Sequence, residues 1–158
     1  EAAGSARETV EGSDFVQAAT AAWDPVFDGN WVEKGMYVAT IGGADASNKR
    51  REIDDETIRR ADVYFVHSKE VARLDKSPDV WEIAQKGIKR WEDIGELQDL
   101  VAGKLKGRAG AEQITCFNNN TGAGTQFAAV GAAVLKRARQ MGLGKELPTE
   151  WFLESVSP

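Results

Sequence analysis

One cysteine, one histidine and four prolines in 158 residues leave little material for several kinds of chemistry. A lone Cys116 has no partner for an internal disulfide, so nothing points to an oxidising compartment. A lone His67 cannot build a histidine metal cluster, and no metal is expected. No apolar run approaches the roughly 20 residues that span a bilayer, and the N-terminus lacks the basic-then-apolar order of a signal peptide. Those absences favour the cytoplasm over a membrane. Positive charge is also in short supply. The balance of 20 Lys and Arg against 25 Asp and Glu gives a formal charge of -5. The one basic cluster, Lys49-Arg50-Arg51, runs directly into Glu52, Asp54, Asp55 and Glu56, which excludes a nucleic-acid footprint.

What is present is the composition of an ordinary globular domain, 42% hydrophobic and 28% charged. Short apolar runs alternate with helical patterns, and that predicts an α/β fold with a parallel sheet. Four strands are expected: Asp14 to Thr20, Met36 to Ile41, Asp62 to Val66 and Gln113 to Phe117. A short polar helix spans Ser5 to Glu11, a helical turn closed by Gly35 begins at Trp31, and a helix capped at Asp54 ends on Arg59 and Arg60. Short helical signals fill Ser68 to Gly110. A long alanine-rich helix runs from Gly124 to about Met141, where Gly142-Leu143-Gly144 stops it. The chain opens on Glu-Ala-Ala-Gly-Ser rather than Met, which suggests processing, truncation or one half of a larger protein.

Three of the expected strands end in small or polar residues: Thr20-Ala21-Ala22, Ile41 to Asp45, and Phe117 to Gly122. In open parallel sheets ligands sit beyond the carboxyl ends of the strands, so these ends can line one cleft; the same residue types are also what turns require. Asp45, just past two glycines, suits a general acid or base. Gly122-Ala123-Gly124 precedes a helix, but Phe127 occupies the last position of a Gly-x-Gly-x-x-Gly pattern, so the dinucleotide fingerprint is absent. His67 and Cys116 both read as structural residues, and the sequon Asn119-Asn120-Thr121 carries no weight without a secretory signal.

A longer series of motifs carries a resemblance. Asp24-Pro25-Val26-Phe27-Asp28-Gly29, Lys34-Gly35-Met36, Ile41 to Asp45, Arg51-Glu52-Ile53-Asp54 and Arg60-Ala61-Asp62-Val63 occur in order. Ala102-Gly103-Lys104, Gly107-Arg108, Ile114 to Phe117 and Gly142-Leu143-Gly144 follow. From about Val10 to Phe152 this order resembles the ornithine cyclodeaminase and mu-crystallin family. The resemblance implies hydride transfer between NAD or NADP and an imine or amine carbon, as in imine or ketimine reductases, amino-acid dehydrogenases and cyclodeaminases. A non-catalytic, crystallin-like NADPH or ligand store and a fragment without activity of its own are the alternatives.

The resemblance also implies site residues. Asp45 resembles the family's proton-transferring aspartate, and Lys49 resembles a lysine that follows it and binds substrate. Thr20, Ile41, Gly42, Gly43, Ala44 and either Asn119 or Asn120 resemble cofactor contacts. The sequence departs from the family by an extra residue at Ala44, by Ala46-Ser47-Asn48 in place of Pro-Gly, and by a longer Asn118 to Gly122 loop. On this reading residues 1–117 are the C-terminal part of a Rossmann-type NAD(P)-binding domain. Residues 118–158 are then a helical segment returning to an absent N-terminal substrate and dimerisation domain, and the complete protein is a homodimer.

Overall fold

The computed structural model describes residues 2–41, 47–120 and 123–153. Its elements follow from local rules. The first helix, α1 (Ala6–Val10), starts where the Ser5 hydroxyl accepts the Glu8 N–H at 3.2 Å, and it buries Val10. Gly12, at φ +74°, turns the chain into β1 (Phe15–Ala18), in which Val16 and Ala18 face the core while Phe15 and Gln17 are exposed. A single 3-10 turn at Gly29–Trp31 precedes β2 (Tyr37–Thr40), and Gly35 between them takes φ +83°. The expected helical turn thus lies two residues earlier than Trp31, while the glycine does adopt the left-handed conformation.

Asp54 caps α2 (Asp55–Arg60), accepting the Thr57 N–H at 2.7 Å, and the helix ends on Arg59 and Arg60 as anticipated. Next come β3 (Val63–Val66) and α3 (Lys69–Leu74), then a π-helical turn at Pro78–Glu82 that runs into α4 (Ile83–Gln85). A two-residue strand, β4 (Gly95–Glu96), leads into α5 (Leu97–Val101). The last strand is β5 (Thr115–Asn118), followed by α6 (Ala123–Met141).

All five strands are parallel, in the order β1-β2-β5-β3-β4. The α/β class is as expected, with one correction: β4 was not anticipated. The last strand in sequence lies in the middle of the sheet, between β2 and β3. One face of the sheet buries Val38, Tyr64, Val66 and Cys116, and the core they join includes Ile53, Ile58, Val80 and Ile83. Parallel strands covered in this way show near-continuous burial, as β2 and β3 do.

The chain divides into two compact units, Glu1–Gly122 and Ala123–Pro158. In the second unit, Phe127, Val130, Val134 and Leu135 of α6 are all more than half exposed. No helix among the described residues is long and apolar enough to cross a membrane, and none of their acidic, cysteine or histidine side chains cluster as a metal site.

Candidate functional site

The strand register brings the carboxyl ends to one level: Ala18 pairs with Thr40, Thr40 with Asn118, and Asn118 with Val66. The hydrogen-bond ladder continues for one further step. Ile41 N–H donates to Ala18 O at 3.1 Å, Asn119 N–H to Thr40 O at 3.1 Å, and His67 N–H to Asn118 O at 3.2 Å. Ile41, Asn119 and His67 therefore stand side by side just above the sheet, with Thr20 beyond Ala18 on the β1 side.

Thr20 and Ile41 are joined through a residue that the sequence did not single out. Glu52 is only 2% exposed. Its Oε1 accepts both the backbone N–H of Thr20 and the Thr20 hydroxyl, the latter at 2.9 Å, and its Oε2 accepts the Ile41 N–H at 3.0 Å. The Thr20 hydroxyl also accepts the Ala22 N–H at 3.3 Å, so much of its bonding capacity is spent on holding its own loop. The sequence showed Glu52 only as an acid beside a basic cluster and as one letter of a family motif. Its role depends on strand ends 11 and 32 residues away, which no local pattern reveals.

Asn119 and Asn120, equivalent candidates in the sequence, have different surroundings. Asn120 is committed to the β3 side: its Oδ1 accepts the Ser68 N–H at 3.1 Å and its Nδ2 donates to Ser68 O at 2.8 Å. Asn119 has a buried Oδ1 with no hydrogen-bond partner among the described residues, and the buried Thr40 Oγ1 below it is in the same state. The Lys49 ammonium pairs with Glu82 at 2.6 Å. Gly42, Gly43, Ala44 and Asp45 lie outside the described residues.

Beneath these ends runs a buried polar network. Asp79, 4% exposed, receives Arg51 Nε at 2.6 Å and the Asn118 amide at 3.4 Å, and its backbone carbonyl accepts the Tyr64 hydroxyl at 2.7 Å. Arg51 also reaches Asp55 at 2.6 Å. Burial raises the Asp79 carboxyl to about 6, against the opposing pull of Arg51. Burial, and then the charge of Asp79, push the Cys116 thiol far above its ordinary range, which removes it as a nucleophile. His67 Nδ1 is buried without a partner among the described residues.

The ornithine cyclodeaminase/mu-crystallin family model matches residues 1–141. The chain belongs to that family. Among its members, the Delta(1)-pyrroline-2-carboxylate reductase of Paracoccus denitrificans is 36% identical over 111 residues, covering 70% of this chain and 34% of the relative. The ketimine reductase mu-crystallin of Mus musculus is 38% identical over 115 residues, covering 73% and 33%. The solved Delta(1)-pyrroline-2-carboxylate reductase of Thermococcus litoralis, in complex with NADH and L-proline, superposes with a TM-score of 0.77 at 32% identity. It covers 92% of this chain and 44% of that one. The chain thus spans about a third to less than half of the length of these relatives.

Proposed function

We propose that this chain supplies the nicotinamide-facing side of the cleft in an NAD(P)-dependent oxidoreductase acting at an imine or amine carbon. The observation that carries the reading is the shared level of the β1, β2 and β5 ends, with the Asn119 side-chain oxygen buried there without a partner among the described residues. An orphaned acceptor costs about 1–3 kcal/mol unless something donates to it. A nicotinamide carboxamide has N–H groups to give, so the residues fit the cofactor. The relatives support the same reading, since they include imine and ketimine reductases and one solved with NADH.

When bound, NAD(P)H would supply the hydride to the imine carbon. Residues of this chain would contribute the following roles. Asp45 delivers the proton to the imine nitrogen, Lys49 holds the substrate once released from Glu82, and Ile41, Gly42, Gly43, Ala44 and Thr20 wall the nicotinamide. Of the two asparagines, Asn119 faces the cofactor and Asn120 braces β5 against β3. Residues 118–158 pack on a substrate and dimerisation domain in a homodimer, a role supported by the exposed apolar side chains of α6. Placement in the cytoplasm agrees with the single cysteine.

The test is to follow NAD(P)H oxidation by the full-length protein with cyclic imines and with 2-oxo acids plus amines. Turnover with at least one is expected, and Asp45→Asn should lower kcat about 10²- to 10⁴-fold, the range for a lost general acid. Tight NADPH binding with no turnover on any substrate would favour a ligand store instead.

A further inference from the structure

Residues 50–54 cross under the loop that follows β1 and hold it at several points. Arg50 lies over the Trp23 ring at 5.0 Å, Val26 N–H donates to Glu52 O at 3.1 Å, and Gly29 N–H donates to Asp54 Oδ2 at 2.9 Å. Ile53, between the two acids, is fully buried in the core. The alternation of acid, apolar residue and acid thus points both carboxylates at the 20–29 segment while the residue between them anchors the strap. Glu52 alone also reaches β2. A carboxylate accepts, and among the described residues this one meets two backbone N–H groups and one hydroxyl.

We infer that Glu52 is a positioning residue: its buried carboxylate ties the end of β1 to the end of β2 and so fixes Thr20 and Ile41 at the nicotinamide face. What is positioned rests on the cofactor reading above; the tie itself does not. The ladder between the two strands ends with Ile41 N–H on Ala18 O, and Glu52 adds a side-chain bridge that shares this N–H and reaches on to Thr20. A fixed floor matters because hydride transfer needs donor and acceptor carbons near contact, and a displacement of about 1 Å can cost about 100-fold in rate. Arg51, the preceding residue, is itself held by Asp79 and Asp55.

The experiment compares wild type, Glu52→Gln and Thr20→Val in the full-length protein by amide hydrogen exchange, NADH titration and turnover. The glutamine keeps the size but turns one acceptor oxygen into a donor facing a donor. Exchange at Thr20 should accelerate about tenfold or more, as for a lost buried bond, while Ile41, which keeps Ala18 O, changes less and Lys69–Leu74 keeps its wild-type rate. The kcat should fall about 100-fold, with a smaller change in the KM for NADH. Unchanged exchange at both amides overturns the tie. Faster exchange with wild-type NADH affinity and kcat overturns the positioning role and leaves a structural staple. If wild type binds neither NADH nor NADPH, the cofactor reading fails and the positioning role falls with it, while the exchange rates still decide the tie. Should Glu52→Gln fail to fold, Thr20→Val carries the test. Faster exchange at Thr20 with a lower kcat supports the inference, and wild-type values for both overturn it.

Discussion

Gly29 sits where no side chain fits. A Cβ there would lie 2.5 Å from Asp54 Oδ1 and 2.8 Å from Thr57 Oγ1, and against the Thr57 backbone nitrogen. These atoms are the α2 cap, which makes room for Gly29 so that its N–H can share Asp54. Gly29→Ala should therefore cost about 2–4 kcal/mol, the sum of overpacking and a damaged cap. Gly12 is the control, because a Cβ there meets nothing within 4 Å and the residue has only its φ of +74° to lose. Urea denaturation of both variants checks this, and a Gly29→Ala no worse than Gly12→Ala would refute the close packing. The same residue-scale view separates Asn119 from Asn120. Both have the composition of a turn, and the partners of their side-chain oxygens, Ser68 N–H for Asn120 and none among the described residues for Asn119, set them apart.

Between elements, the Arg51–Asp79 contact joins the segment after β2 to the π-helical turn at Pro78–Glu82. The Asp79 carboxyl sits near 6 in the fold, and near 3.9 when unfolded. The folded state therefore holds the proton more tightly. Stability from Asp79 is complete below about pH 4 and is lost as the pH rises through about 6, in total ~3 kcal/mol. Asparagine mimics the protonated form, so Asp79→Asn should gain on wild type by roughly that amount between about pH 4 and 7, whatever constant offset it brings. Parallel denaturation curves across this range would contradict the shift. Nothing in the sequence hinted at this contact, because its two residues lie 28 apart and belong to segments without regular pattern. The strands were legible where burial on both faces made apolar runs, as in β2, β3 and β5. The α2 cap was legible because Asp54 acts three residues from its partner. β4 was not, since a glycine and a glutamate carry no strand signal and pair only because Phe65 and Val66 present an edge. What could be read was local, and the features that shape the site, Glu52 above all, act across the sheet.

At the scale of the whole molecule, the proposed function has a dinucleotide meet this chain through its nicotinamide end, and that asymmetry can be measured. Ligand at 100 times its Kd stabilises a protein by ~2.7 kcal/mol, which raises Tm by about 5–10 °C for a domain of 150–250 residues. NADH or NADPH should produce such a shift in the full-length protein. ADP-ribose, which lacks the nicotinamide ring, should produce a shift as well, through contacts that Asn119 does not make. Asn119→Ala removes one hydrogen-bond acceptor, worth about 1 kcal/mol or roughly fivefold in affinity. The loss should appear with NADH and not with ADP-ribose, because only the first presents a carboxamide to the β5 end. Equal losses with both ligands would mean that Asn119 acts on the fold or on the phosphate side, and the carboxyl ends of β2 and β5 would then no longer mark the nicotinamide position.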